Sequence, residues 1–111
     1  PLLKRIQIFL EDGEIVQAKE YVERVLDLDP ENSQAYLYKL MIDLNVTKKE
    51  QLKSLTNTFE QNPNYKKIIK FGDNKLKLEL EEYNSNIKNK PLRQDYFRRN
   101  TKLVILFKDV S

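Results

Sequence analysis

The chain has 111 residues, 40% of them hydrophobic and 33% charged, with two glycines, four prolines and a net charge of +3. That length suits one ordinary domain, and the balance suits a soluble helical one rather than a disordered segment. With no cysteine and no histidine, disulfides, thiolate zinc sites, Cys or His nucleophiles and imidazole acid–base catalysis are excluded within it.

The first element is a helix over Leu2 to Leu10, where Leu2, Leu3, Ile6, Phe9 and Leu10 recur at helical spacing. Asp12-Gly13 ends it, because glycine tolerates the left-handed backbone that closes a helix. A second helix fits Glu14 to Leu28, with Ile15, Ala18, Tyr21, Val22, Val25 and Leu26 on its apolar face. Glu14 suits the positive end of that helix, and Pro30 stops it by lacking a backbone donor and restricting its predecessor. Asn32 or Ser33 caps a third helix that runs to about Leu44.

Asn45-Val46-Thr47 then forms a short turn. Thr47 and Glu50 have the spacing of a capping box, which starts a fourth helix reaching about Gln61 with Leu52, Leu55 and Phe59 inside. Asn62-Pro63-Asn64 breaks it. A long fifth helix spans Tyr65 to Ile87, and Pro91 opens a sixth. Leu103 to Phe107 is rich in β-branched and aromatic residues, so the end of the sixth element reads as helix or as an extended tail.

Residues 13–36, GEIVQAKEYVERVLDLDPENSQAY, carry a further signal. Gly13, Ala18, Val22, Val25, Leu26, Leu28 and Pro30, followed by Tyr36, resemble the tetratricopeptide repeat consensus. Pro30 and Pro63 are 33 residues apart, close to that family's period of about 34. The later units depart from the pattern. Arg5-Ile6 and Lys39-Leu40 stand where the family usually has Leu-Gly, Gln51 or Leu52 replaces a small residue, and Asp43 replaces a tyrosine. The chain also looks like the repeat segment of bacterial proteins that place a zinc ribbon before such helices. A start at Pro1 rather than methionine leads one to expect a piece of a longer chain.

The resemblance implies an all-α fold, a short α-solenoid of antiparallel helix pairs over residues 1–87. A basic capping helix or tail over 88–111 would follow. It further implies a concave groove lined by first helices. On this sequence the groove positions are Leu3, Gln7 and Leu10, then Gln34, Leu37 and Met41, then Lys67, Lys70 and Asn74. Some family members hold a peptide's terminal carboxylate with Lys and Asn side chains at such places. Lys70 and Asn74 match in type, whereas Gln7, Leu3, Leu37 and Met41 do not, and a solvated helix face is the plainer account of Lys67, Lys70, Asn74 and Lys77.

The expected function is therefore a non-catalytic scaffold binding a protein or peptide partner, with no cofactor and no metal. A second reading is a homodimer formed through the apolar stripe Leu103, Leu106, Phe107 and Val110. A third comes from charge. Residues 1–87 hold 13 Lys/Arg against 15 Asp/Glu, while 88–111 hold seven against two. That tail, with Arg93, Arg98, Arg99 and Lys102 beside Tyr96 and Phe97, could meet nucleic acid or anionic membrane. Such composition is also ordinary for an amphipathic helix, and both partners are set aside. The absence of cysteine accords with a cytoplasmic location. Of Tyr36 and Tyr38, on opposite sides of one helix, one is expected in the core and the other exposed.

Overall fold

Leu2–Glu11 (α1) and Ile15–Leu28 (α2) form the first pair in the computed structural model, which describes residues 1–90. Gly13 between them has a φ of +78°. Its N–H bonds the Leu10 carbonyl at 3.1 Å, and the Glu14 N–H reaches back to the Phe9 carbonyl at 2.8 Å. Those two bonds take up carbonyls that the end of α1 would otherwise leave unpaired. Ala18 of α2 is fully buried, α2 packs on α1, and the Phe9 ring meets Tyr21 edge-on at 5.1 Å.

Ser33–Asp43 (α3) follows Pro30, and the Asn32 Oδ1 accepts the Ala35 N–H at 2.9 Å as its cap. Its end repeats the device seen at Gly13. Asn45 adopts a φ of +60°, and the Val46 N–H bonds the Met41 carbonyl at 3.0 Å. Val46 is thereby folded into the core. Neither tyrosine of α3 is simply exposed. Tyr38 is buried, while the half-buried Tyr36 stacks on Phe71 and donates its hydroxyl to the Pro30 carbonyl at 3.0 Å.

The expected fourth helix does not form. Lys49–Ser54 is a 3-10 helix, and residues 55–62 run on without regular structure. The spacing of Leu52, Leu55 and Phe59 looks helical, but Ser54, Thr56, Asn57 and Thr58 all favour local backbone bonding or lose rotamer freedom in a helix. The expected Thr47/Glu50 capping box is absent too. Gln51 Oε1 instead accepts the backbone N–H of Thr47 at 2.8 Å and of Lys48 at 3.3 Å.

The long fifth helix is two helices, Pro63–Phe71 (α4) and Asn74–Lys88 (α5). Pro63 therefore starts a helix rather than breaking one. It takes the first helical position, and the Asn62 side chain accepts the Asn64 N–H at 2.7 Å. Gly72 and Asp73 separate the pair, with Asp73 Oδ1 capping α5 through the Leu76 N–H at 2.8 Å. At Gly72 a Cβ would lie 2.6 Å from the Ile68 carbonyl oxygen. The expected sixth helix, its Leu103, Leu106, Phe107 and Val110 stripe, and the tail beyond residue 90 lie outside the described residues.

Described residues are thus all-helical, with five α-helices, one 3-10 helix and no strand. No helix among them is long and apolar enough to cross a membrane. α3 contacts α1 and α2 on one side and α4 on another, while α5 packs on the 3-10 helix. One apolar cluster runs through the assembly from Ile6 to Ile87.

A single buried amide holds the irregular segment to α5. Asn84 is 1% exposed, and its Oδ1 accepts the Phe59 N–H at 2.9 Å. Asn84→Ala should lower unfolding free energy by about 1–3 kcal/mol, the cost of stranding a buried donor, as read by urea denaturation. Unchanged stability would mean that this bond contributes nothing. Gly72→Ala should cost about 1–3 kcal/mol, because the new methyl meets backbone rather than a movable side chain. An unaltered melting temperature would contradict that reading of the α4–α5 junction.

Candidate functional site

Where α1, α3 and the 3-10 helix meet, they enclose an open cavity of about 330 Å³. α1 contributes Gln7 and Glu11, one turn apart, with the Gln7 Nε2 donating to the Glu11 carboxylate at 3.3 Å. From α3 come Gln34, Leu37, Tyr38 and Met41, which share a face because they step by three and four. Leu37 and Met41 are almost fully buried and give an apolar floor. Thr47, Lys48, Lys49 and Glu50 form the remaining wall, held in place by the Asn45 helix stop and the Gln51 cap.

The wall is also tied from outside. Lys49 Nζ lies 2.9 Å from Glu79 Oε1 on α5, and the Tyr83 hydroxyl donates to Glu79 Oε2 at 3.1 Å. Lysine's hydrogen bond holds the Glu79 carboxyl below its usual value, against the opposing effect of burial. Burial first, and the Glu79 carboxylate second, push the Tyr83 hydroxyl up to about 12. Lys49 therefore faces the cavity on a turn whose charge is already matched.

Of the sequence-derived groove positions, Gln7, Gln34, Leu37 and Met41 come together in this cavity. The others do not line it. Leu10 is fully buried in the core, and Leu3 packs half-buried against that core. Both face inward because the apolar stripe of α1 is consumed by its contact with α2 and α3. Lys67 and Lys70 are exposed and place their ammonium groups 5.9 and 5.3 Å from the Phe71 ring. Asn74 borders a separate depression with Ile69 and Leu78. The Gly72 break turns α5 away from α4, so Asn74 does not continue the α4 face that carries Lys70.

The sequence reading missed Glu11, Tyr38 and the whole Thr47–Glu50 wall. The Asn45 position was the available signal, since asparagine accepts left-handed backbone and ends a helix. Among the described residues, no group of three or more Asp or Glu side chains is arranged to hold a metal ion.

The Glu79–Tyr83 pair makes stability pH-dependent. The Tyr83 value is raised in the folded state, so its contribution is complete below pH about 10 and is lost as pH climbs through about 12. Glu79 is depressed, so its share is present above the unfolded carboxylate value and lost as pH falls through the lower folded one. In urea titrations Tyr83→Phe should show a shallower loss of stability between pH about 10 and 12 than the parent chain. Superimposable curves would refute the assignment.

No protein-family model, curated protein or solved structure matches the chain.

Proposed function

We propose that the chain is a non-catalytic scaffold, a degenerate tetratricopeptide-like helical stack, that holds an extended protein segment in the α1–α3 cavity. The carrying observation is that α1 and α3, the first helices of the two successive units in that reading, contribute Gln7, Gln34, Leu37 and Met41 to one depression. An apolar floor with amide groups on its wall suits a peptide. The floor accepts a side chain, and a Gln amide can both donate to and accept from a peptide backbone.

Gln34 is half-buried on that wall, and its side chain makes no hydrogen bond within the described residues. It is therefore available to a ligand. Because the helices are already in place, the receptor loses little ordering entropy on binding. A cytoplasmic setting accords with the absence of cysteine.

The test uses the full chain, immobilised and panned against a displayed library of random decapeptides. Selected peptides are then measured by fluorescence anisotropy. Gln34→Arg should weaken them by about tenfold or more through steric and electrostatic blockage, with helical circular dichroism retained. Equal affinity in the variant, or a library that yields no binder, would rule out this cavity as the site.

A further inference from the structure

We infer that the segment taken by this cavity presents a lysine or arginine side chain to it, an inference that rests on the peptide-binding reading above. Four charged residues line the depression: Glu11, Lys48, Lys49 and Glu50. Lys49 is matched by Glu79 at 2.9 Å. The ion pairs among the described residues are Lys39–Glu23, Lys49–Glu79 and Lys88–Glu60. Lys48 is thus left as the one uncompensated cation of the rim, against the carboxylates of Glu11 and Glu50.

The placement of Glu11 points the same way. It is the last residue of α1, and no basic residue lies in that helix's final turn. The carbonyl end of a helix disfavours negative charge, so α1 itself does nothing to stabilise the Glu11 carboxylate. Its only hydrogen bond within the described residues comes from the neutral Gln7 amide. A cation brought by a ligand would offset both the carboxylate and the helix end.

Tyr38 adds a hydroxyl-bearing side chain to the cavity lining. The residue is 8% exposed. The Tyr36 and Tyr83 hydroxyls have partners, but that of Tyr38 has none among the described residues. Asn84 Nδ2 is the sealed, unpartnered side-chain atom among them. The Tyr38 hydroxyl is therefore not sealed, and Tyr38 is among the residues that line the cavity.

Together these features match one side-chain chemistry. The methylene stem of a lysine or arginine would lie over Leu37 and Met41, while its charged head reaches the Glu11 and Glu50 rim and the Tyr38 oxygen. An acidic side chain would meet two carboxylates there and only one free ammonium.

Three fluorescein-labelled decapeptide pools, identical except for a central lysine, norleucine or glutamate, distinguish the outcomes when titrated into the full chain. The lysine-centred pool should bind about tenfold tighter than the glutamate-centred pool, with a preference that shrinks as salt is raised. Glu50→Lys should collapse or invert that ratio, and circular dichroism would verify that the variant is folded. Glu11→Gln should lower the ratio too, since it keeps shape and removes only charge. Equal binding by all pools, or a ratio indifferent to both variants, would overturn the charge assignment and leave peptide binding standing. No binding by any pool would overturn both.

Discussion

The Asn84 amide on the Phe59 N–H is the bond on which the second half of the molecule depends. Residues 55–62 have no helix to satisfy their backbone, and a buried donor without an acceptor costs free energy comparable to a lost hydrogen bond. Asn84 meets that demand from a position 1% exposed on α5. Phe59 can then enter the core, where its ring meets Tyr65 edge-on at 5.3 Å. This polar contact therefore ties α5 to the segment that leads into α4. The Lys88–Glu60 pair at 2.9 Å repeats the same link at the surface, where screening makes it worth much less.

That arrangement decides the form of the candidate site. Where a full second helix was expected after α3, a 3-10 helix of six residues stands instead. The turn that leads into it, Thr47 to Glu50, lines the cavity beside Leu37, Tyr38 and Met41. The poor fit of Ser54, Thr56, Asn57 and Thr58 to a helix thus shapes the element that adjoins the site.

The first three helices were legible because strong local signals mark their ends: Gly13, Pro30 and Asn32 each do what their backbone chemistry requires. The fourth is not legible from apolar spacing, because Leu52, Leu55 and Phe59 can be buried by a 3-10 helix and a loop as well as by a helix. The fifth was read through a break that Gly72-Asp73 announces, since a glycine before an N-capping aspartate is both a stop and a start. Four of the ten lining residues, Gln7, Gln34, Leu37 and Met41, follow from the faces that α1 and α3 present. Four more belong to a turn whose position depends on Asn45, Gln51 and Glu79 together. Contacts such as Lys49–Glu79, 30 residues apart, leave no periodic trace in a sequence.

The wall of the cavity is also its weakest part, and this bears on how a ligand would be felt elsewhere. Hydrogen bonds in a 3-10 helix have poorer geometry than those of an α-helix, so this turn relies on buried Leu52, the Gln51 cap and the tie to Glu79. Lys48, Lys49 and Glu50 all line the cavity, and the Lys49 ammonium is paired with Glu79 on α5. A ligand that orders the turn would therefore favour the Lys49–Glu79–Tyr83 contact. Tightening that contact would in the same measure favour the ligand, since coupling between two sites on one element is reciprocal. α5 is thus tied to the cavity wall through Lys49–Glu79, and its buried Asn84 connects the same helix to residues 55–62.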